Sequence, residues 1–550
     1  MLFRFLPYVL IILCLRANGE LTAGKKKLKI LVNNPSLGFS HMQFHGKLAD
    51  LLFEAGHEVD VFCANWTPFE TRTGVEKARV IKFNATTYTK YHEMDYFKDP
   101  FKATDIKMDT DRAIPYVNTT LQFCRDLVNH PTMLDDMRRA KYDLIIGEIF
   151  DPCLFYAAEA LKIKKRVISS ALSMPDEIAF ALGFLDHTFH VRSVSLISAN
   201  IAVSGVFASS ADVPVLSWNE RLTNLIIDFY HPVLLSSLHK EMQTMFKIKL
   251  NVELPTFREL IQTSSYVFIN AHAHLDHPRP ITNKIQFIGG IAVAKPRTQH
   301  TPIVSAIFDK APKGVIYFSL GSLVDTQLMP KQFKKAFINA FARFPQYSVI
   351  WRFHTNHNDS ALFAQAPNVF TVDWADQVTI LSDPRTQLFI SHCGQNSAME
   401  SAMSGVPVLS LPLFADQNYN AALLIRRGMS LYQNIHNIDE EELVAKIGRL
   451  LNEPSFKKNA GLVSRKLRDE PFKPSERFVR LIEYAAGHEE NGDLELYAIK
   501  LGFIYRNNLD IYVPLAATVF VFMLTLIKTI QLLRRLIMYL ITKLQKHKIA

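Results

Sequence analysis

Residues Gln387–Gln417 read QLFISHCGQNSAMESAMSGVPVLSLPLFADQ, and this stretch decides the fold. Gln387–Ser391 is an apolar-rich run of strand character. A turn with Gly394 follows, then a short helical segment, Gly405 as a stop, and a second apolar run. Together they make a βαβ unit of about 30 residues. The first turn brings His392, Asn396 and Ser397 to a helix N-terminus. Free backbone N–H groups and the helix dipole there favour an anion such as phosphate. The second strand is read as ending in Asp416-Gln417, an acceptor pair at the edge where open α/β sheets bind ligands. Ser397-x-x-Glu400 also fits a capping box, which by itself would account for both residues.

The chain has 550 residues, of which 48% are hydrophobic. That length suits two large domains or three small ones. Net charge is +10, and Lys528, Arg534, Arg535, Lys543, Lys546 and Lys548 lie in the last 23 residues without an acid among them. The rest is only mildly basic, which argues against a nucleic-acid footprint. The cysteines are Cys14, Cys63, Cys124, Cys153 and Cys393, with no CxxC or metal-ligand spacing. No structural metal is predicted, and a disulfide is allowed whose pair the sequence does not choose.

The two ends point to a secretory, membrane-anchored chain. Residues 1–19 carry Arg4, an apolar run from Phe5 to Leu15, and small residues, as a signal peptide does. Sequons at Asn65, Asn84, Asn118 and Asn358 suit a lumenal chain, although Pro68 follows the first. Ile511–Ile527 holds 17 residues without a charge, about 25 Å of helix, near the lower limit for a membrane span. We place the transmembrane helix at 510–533 and a basic tail at 534–550. By the positive-inside rule that tail is cytosolic and the protein is type I. Lys546 and Lys548 resemble a dilysine retrieval signal of the endoplasmic reticulum.

From the amino terminus, LKILVN at Leu28–Asn33 reads as a strand. A loop then leads to His41, and Phe44, Leu48, Leu51, Leu52 and Ala55 recur at helical spacing up to Gly56. Glu58–Cys63 is the next strand. No GxGxxG is present, so a dinucleotide dehydrogenase is disfavoured. Residues 64–140 read as irregular, with only weak helical patterns. Tyr142–Ile146 is another buried strand, followed by Glu148 and Asp151. Residues 213–250 read as mostly helical. VIYFSLGS after Gly314 is a strand ending in Gly321-Ser322, and Trp374-Ala375-Asp376-Gln377 follows a later strand. Residues 440–486 are helical with interruptions at prolines, and 487–509 is a polar stalk.

The run FISHCGQNSxxE, then GVP, then PLFADQxxN, resembles the signature of the UDP-glycosyltransferases, with the membrane-bound animal UDP-glucuronosyltransferases nearest in pattern. The resemblance extends to Ser40-His41, to Pro278-Arg279-Pro280 and Gly289-Gly290, and to Trp374 with Gln377. It implies a GT-B arrangement: two Rossmann-like domains facing a cleft, here 25–290 and 303–486 with a linker at 291–302, plus the C-terminal transmembrane helix. It implies that His41 is the catalytic base. A histidine at a helix N-terminus meets the positive end of the dipole, which favours the uncharged, proton-accepting ring. The family carries an aspartate after the third such strand to orient that histidine. Glu148 stands at that place here, with Asp151 as the alternative.

The resemblance also assigns a UDP-sugar site to Ser322, Trp374, Gln377, His392, Gly394, Asn396, Ser397, Glu400, Asp416 and Gln417. Glu400 would take the ribose hydroxyls rather than serve a capping box, and Asp416 and Gln417 the sugar. Departures from the family are Glu148 for Asp, Asp376 for Pro, and Cys393 and Ser397 where Gly is frequent. The implied reaction is inverting transfer of a sugar, glucuronate first, to small lipophilic acceptors, with no cofactor beyond the UDP-sugar. Partners are the acceptor, the membrane and further copies or relatives of the chain. The alternatives are a UDP-glucosyltransferase of the same fold and a non-catalytic nucleotide-sugar-binding membrane subunit.

Overall fold

The structure, a computed structural model, describes residues 26–35, 38–65, 72–84, 100–101, 106–183, 236–354, 359–489, 492–506 and 508–549. The expected signal peptide and the Asn358 sequon lie outside them. Residues up to Asp493 form one compact unit and Leu494–Ala550 another.

The first unit holds two parallel sheets. Their strands are short, near-continuous apolar runs because each is covered on both faces. In the first sheet β1 (Lys29–Asn33), β2 (Glu58–Asn65), β3 (Arg79–Asn84), β4 (Leu144–Glu148), β5 (Lys165–Ser170), β6 (Val267–Ile269) and β7 (Ile285–Phe287) lie in the order β3-β2-β1-β4-β5-β6-β7. Ile30 pairs with Leu144 of β4, and Lys29 with Glu58 of β2 on the other side. In the second, β8 (Val315–Ser319), β9 (Ser348–Arg352), β10 (Val369–Val372), β11 (Thr386–Ser391), β12 (Val408–Ser410) and β13 (Ser430–Tyr432) run β10-β9-β8-β11-β12-β13. The strand order therefore reverses between β1 and β4, and again between β8 and β11. A crevice opens at such a switch point, outside the carboxyl ends of the strands. The expected pair of Rossmann-like domains is what the chain forms.

The helices are α1 (Phe39–Glu54), α2 (Ile106–Asn129), α3 (Met133–Ala140), α4 (Cys153–Ala160), α5 (Lys331–Ala342), α6 (Gln377–Ser382), α7 (Gln395–Ser404), α8 (Gln417–Arg426), α9 (Pro454–Arg468) and α10 (Pro474–Gly487), among others. The expectation that 64–140 is irregular needs correction. It contains β3, α2 and α3. The first half of α2 holds Asp109, Asp111 and Pro115, residues that depress helix propensity. Packing decides instead: Phe123, Cys124 and Leu127 are fully buried in the core of the first domain. Cys124 is disulfide-bonded to Cys153 at the start of α4, which settles the pair the sequence left open. Among the described residues, Cys63 and Cys393 are free and buried.

Helix α10 belongs to the second half in sequence and packs on the first domain. Phe478, fully buried, meets Phe268 of β6 edge to face at 5.0 Å. Glu483 lies 3.4 Å from His57, and Lys165 donates to the carbonyl of His488. Three sequon asparagines lie among the described residues. Asn84 ends β3 and is exposed, and Asn118 is exposed on α2 while its Thr120 is buried, donating to the Tyr116 carbonyl at 2.9 Å. Asn65 ends β2.

In the second unit a single helix, α11 (Leu509–Ile549), runs through both the expected span and the stretch expected as a basic tail. Its Leu509–Leu544 portion is long and apolar enough to cross a membrane.

The Cys124–Cys153 bond closes a loop with a sequence separation of 29, so loop entropy assigns it about 3 to 4 kcal/mol. Replacing both cysteines by serine should lower the unfolding free energy of the first domain by that amount, read as a lower urea midpoint at unchanged m. An unchanged midpoint would show that the unfolded chain gains no freedom from the loss.

Candidate functional site

The site is assembled where the carboxyl ends of the two sheets meet. On the first sheet, α1 begins just after β1. Gly38 is its N-cap, and the Gly38 carbonyl accepts from the His41 N–H at 3.1 Å. His41 is therefore the third helical residue. Its Nδ1 lies 2.9 Å from Oε2 of Glu148. A carboxylate only accepts, so the proton sits on Nδ1 and the Nε2 lone pair is left available. The His41 side chain keeps 14% exposure, while Glu148, the last residue of β4, has none. Ala171 N–H also points at Glu148, at 3.4 Å. Beneath them His45 reaches Ser169 through Nε2 at 2.9 Å and the His41 carbonyl through Nδ1 at 2.9 Å.

Asp151 does not meet His41. It is fully buried and accepts from Asn33 Nδ2 at 3.1 Å. Burial, with Glu148 nearby, pushes its carboxyl up to about 7. Of the two candidate carboxylates, Glu148 is the one the fold sets against the imidazole.

On the second sheet the β8/β11 switch point is built around His392. Gly321, with φ of 79°, follows β8, and Gly394 follows β11. A Cβ at Gly321 would come within 2.4 Å of the His392 ring and one at Gly394 within 2.6 Å. Both glycines are needed because the ring fills the space a side chain would take. Burial and the nearby Arg352 guanidinium push His392 down to about 4, so near neutrality it is an uncharged ring. Arg352 ends β9 and donates to the Gly321 carbonyl. It is a cation at this switch point, and sequence reasoning passed over it. The signal was a lone charge inside the buried run SVIWRF. Ser322 sits in an exposed turn beyond Gly321.

Helix α7 starts at Gln395 with Gly394 as N-cap and no side-chain cap. The capping-box reading of Ser397 and Glu400 is thereby overturned, since both lie inside the helix. Gln377 Nε2 instead donates to Ser397 Oγ at 3.0 Å and to Glu400 Oε2 at 2.7 Å. Burial pushes the Glu400 carboxyl up to about 7. Asp376, where the family has proline, is the N-cap of α6 and accepts from Thr379 N–H at 3.2 Å. Trp374 is 58% exposed, and the guanidinium groups of Arg352 and Arg72 lie 4.9 and 5.2 Å from its ring centre. Cys393 adopts a left-handed φ of 61°, which is why glycine suits this position. Burial pushes its thiol up to about 12, so it is not a nucleophile.

The reading of Asp416-Gln417 as a strand end also changes. β12 stops at Ser410, and Asp416 precedes the first residue of α8. Gln417 Oε1 accepts from the N–H groups of Leu413 and Phe414 at 2.8 and 3.2 Å. Those turn amides need an acceptor, so only the Gln417 NH₂ is left for a ligand. Burial raises the Asp416 carboxyl, while Asn420, which donates to it at 2.7 Å, and His41 lower it.

The two halves touch at this point. Asn396 Nδ2 donates to Gln43 Oε1 at 3.3 Å, and Gln43 is two residues from His41. Gln395 donates to the Asn270 carbonyl, and Ser173 Oγ donates to Gln395 Oε1 at 3.4 Å. The arrangement sets an activated imidazole on one sheet facing a helix N-terminus, an arginine and a buried carboxylate on the other.

Comparison with known proteins places the chain in a family. A family model described as UDP-glucoronosyl and UDP-glucosyl transferase matches residues 29–544. The chain is 25% identical to human (Homo sapiens) UDP-glucuronosyltransferase 2B7 over 484 residues, covering 86% of this chain and 87% of that one. It is 27% identical to rabbit (Oryctolagus cuniculus) UDP-glucuronosyltransferase 2B14 over 398 residues, 72% and 71% of the two chains. Among solved structures it is similar to CalG4, the calicheamicin glycosyltransferase, with TM-score 0.55, 16% identity and coverage of 84% of this chain and 99% of that one. It is also similar to a UDP-glucosyltransferase from Polygonum tinctorium, with TM-score 0.53, 16% identity and coverage of 85% and 100%. These likenesses identify the fold as GT-B.

Glu400 generates a stability prediction. Its folded-state carboxyl lies at about 7, against an ordinary value of 4.5. Between those pH values the folded chain keeps a proton that the unfolded chain has released, so stability falls as pH rises. Glu400→Gln should therefore raise the unfolding free energy at pH 8 by up to about 3 kcal/mol, seen as a higher melting temperature, and change nothing at pH 4. An equal effect at both pH values would mean that ionisation is not the cause.

Proposed function

The chain belongs to the UDP-glucuronosyl and UDP-glucosyl transferase family, and on that premise we propose that it transfers glucuronate from a UDP-sugar to small lipophilic acceptors, forming β-glycosides. It is a glycosyltransferase, with a UDP-sugar as donor. In this reading His41 Nε2 removes the proton from the acceptor hydroxyl as the acceptor oxygen attacks the anomeric carbon. The bond from that carbon to the UDP oxygen breaks on the opposite face, and one displacement inverts an α-linked donor. The carboxylate of Glu148 balances the imidazolium, which forms next to it. Base assistance of this kind contributes roughly 10²–10⁴ in rate.

The leaving diphosphate would be met by the Arg352 guanidinium, the His392 ring, Ser322 and the N–H groups of Asn396 and Ser397 at the start of α7. These are preorganised donors aimed at developing charge. Trp374 with Gln377 would hold the base, Glu400 the ribose, and Asp416 with the Gln417 amide the sugar. The observation that carries the reading is the 2.9 Å His41–Glu148 contact, beside the point where Asn396 reaches Gln43. The apolar reach of α11 and the amino-terminal leader support a type I protein of the endoplasmic reticulum membrane with its catalytic domains lumenal. Lipophilic acceptors partition near such a membrane.

The test is UDP release by detergent-solubilised protein from UDP-glucuronate and, separately, UDP-glucose, with a panel of phenols. We expect release with UDP-glucuronate, and release with UDP-glucose alone would reassign the donor. His41→Ala and Glu148→Gln should each lower kcat by roughly 10²–10⁴ with donor binding retained. Unchanged kcat in His41→Ala would remove the histidine from the mechanism, and no release with either donor would leave a binding subunit.

A further inference from the structure

Seventeen uncharged residues, Ile511–Ile527, open α11 and already cover about 25 Å of a hydrocarbon core roughly 30 Å thick. The helix does not stop there. Its apolar character continues to Leu544, about 25 Å further at 1.5 Å per residue. With 3.6 residues per turn, Ile530, Leu533, Ile537, Leu540, Ile541 and Leu544 share one face of this second half. All six are exposed, from 44% to 66%. Lys528, Gln531, Arg535 and Thr542 lie on the opposite face, which also carries Leu532 and Tyr539. Arg534 and Lys543 stand at the two margins. No acid follows Asp510 in the chain.

Resting on the reading that Ile511–Ile527 spans a bilayer, we propose that the second half of α11 lies along an anionic lipid surface. Its apolar face enters the acyl boundary and its lysines and arginines meet the headgroups. A helix of large apolar and basic faces takes this position. Arg534 and Lys543 are placed to snorkel at the margins. Charge selects lipid over a second copy of the helix. Pairing two copies along this face would line both edges of the seam with cations and supply no acid to answer them, whereas anionic headgroups neutralise them.

The bend this requires has a place. Thr525 donates its hydroxyl to the Val521 carbonyl at 2.8 Å, and Thr529 to the Thr525 carbonyl at 2.8 Å. Back-bonding of this kind loosens and bends helices; Thr518 and Thr542 also make it, and of these threonines Thr525 and Thr529 flank Lys528, where the uncharged run ends.

The experiment uses the full-length chain in nanodiscs of phosphatidylcholine with or without phosphatidylserine. Spin labels are placed singly through Phe520→Cys, Leu540→Cys and Thr542→Cys, against the unmodified chain as background. Collision with oxygen reports lipid and collision with a water-soluble nickel chelate reports water. We expect Leu540 in lipid and Thr542 in water when phosphatidylserine is present. Changing Arg534, Arg535 and Lys543 together to Gln should weaken that immersion roughly fivefold per charge. Nickel access at both Leu540 and Thr542 in every disc overturns the proposal, as does spin–spin broadening at Leu540, which would assign the face to a second copy. A water-exposed Phe520 would overturn the span itself, and the proposal with it.

Discussion

The edge-to-face contact of Phe478 with Phe268 ties the carboxyl-terminal part of the chain to the first sheet, and the site depends on that tie. Neither sheet holds a complete set of groups. In the proposed reaction the first carries the base and its carboxylate, and the second carries the groups for the donor. A reaction between two bound molecules needs both sets held at a fixed spacing, because a misplacement of an ångström costs orders of magnitude in rate. The return helix fixes that spacing from behind. The Gln395–Asn270 and Asn396–Gln43 contacts fix it at the cleft. The buried Tyr419 hydroxyl adds a third fastening, donating to Asp276 and accepting from Arg279 at 2.7 Å.

The site is also where the molecule gives up stability. Glu400, Asp416 and Asp151 are buried carboxyls, each with its ionisation opposed by desolvation. A core of apolar side chains at those places would be more stable and would bind nothing polar. Cys393 adds strain of another kind. It takes a left-handed backbone conformation that L residues avoid, and its buried thiol packs against Ser410 at 3.1 Å. The backbone is held there because the turn must carry His392 between two glycines.

Local pattern made much of this legible. Buried strands in a parallel sheet announce themselves as apolar runs, so LKILVN, YDLII, VIYFS and QLFIS were readable without a partner in view. Gly405 was readable as a helix stop and has the left-handed φ of 67° that such a stop uses. Where the local pattern was weak the reading failed. Helix α2 is held by what it packs against rather than by its own propensity. Ser397 and Glu400 had the spacing of a capping box, but the helix begins two residues before Ser397, and Gln377 from another segment claims both side chains.

The two-domain arrangement was implied by the family resemblance; by itself the sequence determined buried strands alternating with helices, a histidine at the start of the first helix, a strand–turn–helix unit around Ser391–Ser397 and a long apolar helix near the carboxyl end. These follow from periodicity and turn chemistry, which act over a few residues. Only the tertiary structure decided that Glu148 rather than Asp151 meets His41. It likewise decided that Cys124 pairs with Cys153, that Arg352 stands at the second switch point, and that Gln417 spends its oxygen on a turn. The reason is the same in each case. Which side chain reaches which depends on strand register and helix packing between segments tens to hundreds of residues apart, and spacing along one segment carries no information about them.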